Sequence, residues 1–173
     1  MAEKNDVAIK NDMAIKNRER AEDTRTDRQR WMAVLAKAPL DLLEQCAKAL
    51  GTLPEYDFLR SPEVGLTMVR GRAGGSGDAF NLGEMTLTRC VVQLTAKGNE
   101  AKAAGFGYVA GRSHRHAELA ALCDALLQQP QWRDRVQTAV LNPLCAQQAQ
   151  KIREQRQQTA ATQVEFFTLR RGE

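Results

Sequence analysis

The stretch Val64-Gly65-Leu66-Thr67-Met68-Val69 decides the fold, together with Met85-Thr86-Leu87-Thr88-Arg89-Cys90-Val91-Val92-Gln93-Leu94 beyond a glycine-rich turn. Upstream, apolar residues recur three and four apart, the period of a helix. Here they alternate with small or polar residues, the period of a strand whose two faces differ. Val64, Leu66 and Met68 share one face. In the second segment the apolar positions run through Met85 and Leu87 and then move to Cys90, Val92 and Leu94. A β-bulge near Arg89 would absorb that change of face. Tyr56-Asp57-Phe58-Leu59-Arg60 reads as a short strand before the pair, and Gly107-Tyr108-Val109-Ala110 as a short strand after it. The polar, Gly/Ala-rich linker Lys97 to Gly105 reads as a loose hairpin end. Strands this close in sequence leave no room for helical crossovers, so the sheet is expected to be antiparallel.

Helical patterns lie on both sides of this block. Trp31, Val34 and Leu35 make an amphipathic turn that ends near Ala38, because the residue before Pro39 avoids the helical region. Asp41 to Leu50 forms a second helix with Leu42, Leu43, Cys46 and Leu50 on one side and Gly51 as its C-cap. After the strands, Ser113 caps a helix whose stripe is Leu119, Leu122, Cys123, Leu126 and Leu127. A shorter helix follows over Gln131 to Leu141. Pro143 then separates it from a polar Gln/Arg-rich helix, Leu144 to Gln158. Val164-Glu165-Phe166-Phe167-Thr168-Leu169 is strand-like by composition. The expectation is an α+β fold with an antiparallel sheet of about four to five strands. It is flanked by N-terminal, central and C-terminal helices in a single domain.

The folded part is expected over residues 26–173. The preceding 1–25 begin with a hexapeptide repeat, Lys4-Asn5-Asp6-Val7-Ala8-Ile9 followed by Lys10-Asn11-Asp12-Met13-Ala14-Ile15. A period of six keeps no stripe on a helix, so this segment reads as a flexible extension. No apolar run reaches the roughly 20 residues that span a bilayer, and the N-terminus lacks the apolar core of a signal peptide. A cytoplasmic protein without a membrane partner is expected.

The net charge is +4 over 173 residues. Residues 1–30 hold 8 basic and 7 acidic side chains, and the remainder 17 and 14. Neither part carries the basic excess of a nucleic-acid footprint. The bases are 17 Arg against 8 Lys, and Arg grips carboxylates and phosphates in two bonds. Cys46, Cys90, Cys123 and Cys145 form no Cys-x-x-Cys clip, and His114 and His116 are the only histidines. No metal site is expected, and the thiols read as structural.

Two segments have the composition of a site. In Arg70-Gly71-Arg72-Ala73-Gly74-Gly75-Ser76-Gly77, glycine N–H groups at Gly74, Gly75 and Gly77 with Arg72 would suit an anion, although a turn between strands explains the same residues. Neither a Walker ending nor a following helix is present. His116, at the start of a helix, could act as general acid–base or pack there as a structural residue while Glu118 complements the helix dipole.

Taken in order, Glu63-Val64-Gly65-Leu66, Arg72 to Gly77, Phe80-Asn81-Leu82-Gly83-Glu84, Thr86-Leu87-Thr88-Arg89, Gly111-Arg112, His116-Ala117-Glu118 and the ending Phe166-Phe167-Thr168-Leu169-Arg170-Arg171-Gly172 carry a resemblance. From about Arg30-Trp31-Met32 to the C-terminus, the chain resembles the PhnG subunit family of the bacterial carbon–phosphorus lyase system. The N-terminal extension looks additional to the family pattern, and the Lys97–Gly105 connection looks longer than usual. The resemblance implies an accessory subunit of a hetero-oligomeric core complex in phosphonate catabolism. That complex forms ribose 1-alkylphosphonate 5-triphosphate from a nucleoside triphosphate and a phosphonate. ATP, S-adenosylmethionine and an iron–sulfur cluster are implied on other subunits and no cofactor on this chain. It supplies no catalytic residue to carry over, and it leaves Arg72, Gly74, Gly75, Gly77, Arg89 and Arg112 as phosphate or subunit-contact candidates. A competing reading is a stand-alone phosphate-ester or nucleotide enzyme that uses Arg72, the Gly74–Gly77 turn and His116. A polyanion-binding module is a third.

Overall fold

The computed structural model of the chain describes residues 27–95 and 102–162. Helix α1 covers 27–37 and α2 Leu40–Ala49. They are followed by strands β1 (Tyr56–Arg72), β2 (Ala79–Leu94) and β3 (Ala104–Ala110), then α3 (His114–Leu127), α4 (Pro130–Val136) and α5 (Asn142–Ala161). The strands form one antiparallel sheet in the order β1-β2-β3.

The helices cover one face of this sheet. Cys90, Val92 and Leu94 of β2 and Val109 of β3 point into a core shared with Trp31, Leu35, Leu43 and the length of α3. Helix α3 is the hub, with eleven of its fourteen residues buried. Ser113 caps it, its side chain accepting from the His116 N–H at 3.2 Å. Small residues let α3 approach the sheet closely. A Cβ on Gly107 would sit 2.0 Å from the Ala117 carbonyl oxygen, and one on Gly105 1.9 Å from that of Ala121.

The two short segments expected at 56–60 and 64–69 are one strand of 17 residues, so the described sheet has three strands rather than four or five. Ser61-Pro62 does not end the strand. The register shifts between Arg60 and Glu63, where β1 carries extra residues opposite β2, and a bulge tolerates a proline that cannot donate to the ladder. The bulge expected near Arg89 falls on the partner strand: the β1–β2 register shifts between the pairs Arg60–Val91 and Glu63–Arg89 with the extra residue on β1, while β2 pairs with β3 without interruption from Leu87 to Gln93. The even residues Thr88 to Leu94 face α3 throughout, and Met85 and Leu87 lie on the opposite face. The apolar positions change face because both faces carry apolar side chains, with no slip of the backbone. The bulge within β2 falls at Leu82, between Gly83 and Asn81. Strand β3 begins at Ala104, three residues before the expected start.

Pro143 does not break the helical path. Residues Gln137–Leu141 form a π turn between α4 and α5. Its wider winding makes room for a residue that lacks an N–H and would crowd the preceding carbonyl. The last part of α5 is exposed on all sides. The extension 1–25, most of the Lys97–Gly105 linker and the strand expected at 164–169 lie outside the described residues.

Candidate functional site

The glycine turn closes the β1–β2 hairpin. Gly74 at φ +60° and Gly75 at φ +81° reverse the chain with a backbone that β-carbon-bearing residues rarely adopt. The Gly77 N–H donates to the Ala73 carbonyl at 2.9 Å, and Arg72 Nη1 donates to the Gly77 carbonyl at 3.1 Å. The turn spends these groups on itself.

His116 lies far from it. Its ring is buried at the start of α3, with Nε2 2.8 Å from the Leu35 carbonyl, so that nitrogen carries the proton. Thr88, which ties the sheet to this end of α3 through the Gly111 carbonyl, pairs with Val64, eight residues before Arg72. At about 3.3 Å per residue, the turn stands roughly 25 Å out along the hairpin. The structure therefore does not bring Arg72, Gly74, Gly75 and Gly77 together with His116. Arg112 is exposed after Gly111, and Arg89 lies on the outer sheet face. Arg89 Nε donates to Glu63 Oε1, which also accepts from Arg60 Nη1 at 2.8 Å. Foremost the Arg89 bond, opposed by slight desolvation and helped by both positive charges, holds the Glu63 carboxyl below its ordinary value.

A polar cluster that the sequence did not announce sits at Asp124 in the middle of α3, fully buried. Its carboxylate accepts from Arg28 Nε (3.1 Å) and Nη2 (2.7 Å), Trp31 Nε1 (2.9 Å) and the Phe106 backbone N–H (2.9 Å). Gln128 Nε2 donates to the Ala104 carbonyl at 2.9 Å. The free edge of β3 is thus occupied at its start, Ala104 to Phe106, by side chains of α1 and α3, which hinders strand addition there. A second network joins Tyr56, whose hydroxyl donates to Glu118, with Arg115 Nη1 on the other Glu118 oxygen at 3.0 Å. Burial, then the bond to Glu118, pushes the Tyr56 hydroxyl up to about 12. Among the described residues, no group of three or more His, Cys, Asp or Glu is placed to hold a metal ion, and no helix is long and apolar enough to cross a membrane.

What the polar residues leave open is apolar. Cα partners in an antiparallel pair share a face, so the register puts Leu87, Val91, Phe106 and Tyr108 on the sheet face away from α3, with Arg89 among them. At the β3 edge of this face α1 comes close: the Arg28 guanidinium lies 5.5 Å from the centre of the Phe106 ring. Beyond Glu63 the β1–β2 ribbon runs out past the helices. It carries Val64, Leu66 and Met68 on one side and Met85, Leu82 and Phe80 on the other, all exposed. Gly71 belongs to this second side: a Cβ there would meet Leu82 Cδ1 at 2.3 Å.

Fold and site define a small α+β protein whose polar groups fasten its own elements and whose apolar sheet surface lies open. The family model described as "Phosphonate metabolism protein PhnG" matches residues 26–172. The alpha-D-ribose 1-methylphosphonate 5-triphosphate synthase subunit PhnG of Rhizobium meliloti (strain 1021) is 40% identical over 146 residues, covering 84% of this chain and 90% of that protein. The chain belongs to the PhnG family.

Proposed function

We propose that this chain is an accessory subunit of a ribose 1-alkylphosphonate 5-triphosphate synthase in phosphonate metabolism, working in the cytoplasm. ATP use, S-adenosylmethionine and an iron–sulfur cluster belong to other subunits of the assembly. The relative's designation as a subunit of an alpha-D-ribose 1-methylphosphonate 5-triphosphate synthase supports this. The observation that carries it is the open apolar surface of the sheet and ribbon beside polar residues already committed within the chain. His116 is bound to Leu35, Asp124 to five donors and Arg89 to Glu63. Surfaces of this kind mark contacts with other proteins. Arg72, Gly74, Gly75 and Gly77 then belong to the tip of a contact surface, and Arg112 remains a candidate for anion or subunit contact.

Co-expression with the other synthase subunits and purification through one tag on this chain tests the reading. Recovery of a stoichiometric complex is expected. Recovery of this chain alone, as a stable monomer, would sink it.

A further inference from the structure

We propose that the β1–β2 ribbon, residues 63–72 with 79–89, is an arm enclosed on both faces by a cleft in a different subunit. The walls of that cleft are apolar and its far end is anionic. The inference rests on the subunit reading above and deepens it.

Three observations select this occupant. The first is that the ribbon exposes large apolar side chains on both sides. Leu66 is 67% exposed on the helix-side face and Leu82 64% on the outer face, each with apolar neighbours. A second copy of this chain docked about a twofold axis would meet one patch with the same patch. It would cover one face and leave the other in water.

Area gives the second argument. Ten residues at about 3.3 Å each make the arm about 30 Å long, and two strands with their flanks are about 10 Å wide. Each face is then on the order of 300 Å². Covering one face buries on the order of 600 Å² over both partners, half of what a specific interface needs; enclosing both reaches about 1,200 Å².

The third is charge. Along β1, Val64, Leu66, Met68, Arg70 and Arg72 alternate onto one side, so the apolar stripe ends in two guanidinium groups near the tip. A like arm laid tip to tip would set these charges against each other, whereas carboxylates or phosphates at the end of a cleft would pair with them. The edge of β3, occupied at its start, and the helices over the rest of the inner sheet face leave the arm as the projecting apolar element among the described residues.

The experiment compares the wild-type chain with Leu66→Asp, Leu82→Asp and Arg70→Glu/Arg72→Glu, each co-expressed with the other synthase subunits. All changed side chains are exposed, so the isolated variants are expected to melt as the wild type does, which checks folding. Each leucine variant is expected to lower recovery of partner subunits about tenfold or more, and the arginine pair about threefold or more. Amides 63–72 and 79–86 should gain protection from hydrogen exchange in the complex. Full recovery with either leucine variant would overturn enclosure on both faces while leaving the subunit reading in place. Recovery of no partner by the wild type would overturn both. A stable dimer of the isolated chain that Leu66→Asp disperses would identify the second copy as occupant and also overturn the proposal.

Discussion

Asp124 shows how much one residue can hold. A carboxylate removed from water is tolerable only with its lone pairs filled. Here α1 provides Arg28 and Trp31 and β3 provides the Phe106 N–H, so three elements meet on one side chain. Asp124→Ala leaves the indole and the backbone N–H without an acceptor. It should lower unfolding free energy by about 3 kcal/mol in urea titrations. The thiols give a second prediction. Burial first, then the nearby Cys46 and Asp124, pushes the Cys123 thiol up to about 12; burial and Glu118 push Cys90 to about 11; burial raises Cys46. The thiolate is the reactive form, so a raised pKa slows alkylation on top of poor access. Of the four, Cys145 is exposed. Native protein at pH 8 should show one fast adduct with iodoacetamide by mass spectrometry, and four in urea. Fast labelling of Cys90 or Cys123 in native protein would contradict their burial.

At the scale of elements, the helices were the legible part. The starts and stripes of α1 to α3 stand where the sequence puts them, with Ser113 capping α3 and Gly51 at φ +74° just past the Leu50 cap of α2, whereas Pro143, expected to separate two helices, lies within one continuous helical path. The sheet was harder for a physical reason. A period of two shows which residues share a face, but not whether the other face meets water. Met85 and Leu87 therefore looked like a slipped register. Close packing also left no pattern: Gly105 and Gly107 read as linker and strand start, while their missing side chains let α3 lie against β3. Gly107→Ala would drive a methyl group into the Ala117 carbonyl, a backbone atom that cannot turn aside. The expected loss is about 3 kcal/mol by denaturant unfolding. Gly65, with open space around its Cβ position, is the control: Gly65→Ala should change stability by no more than about 0.5 kcal/mol. Equal effects at the two sites would show that α3 does not dock this closely.

At the scale of the whole molecule, the described residues build one core between helices and sheet. The sequence pointed to Arg72, the glycine turn and His116 because those residue types bind anions and move protons. Composition does not show that the turn sits at the end of a long ribbon while the histidine is bound in the core. That depends on the 17-residue length of β1, hidden by Ser61-Pro62. The more telling feature, an uncovered second sheet face, becomes visible only when register is combined with burial. It has a consequence for the isolated protein. Phe80, Leu82 and Met85 are exposed together on the outer face of the ribbon, more apolar surface in one place than scattered side chains explain. A dye that fluoresces in apolar surroundings should bind the native, cooperatively folded chain. Leu82→Lys with Met85→Lys should remove much of that signal while the melting temperature stays within about 3 °C, since neither side chain is part of the core. Assembly with partner subunits should quench the dye in the same way. If the double variant instead keeps its fluorescence, the bound surface lies elsewhere; if it melts much earlier, the outer face supports the fold of the chain itself.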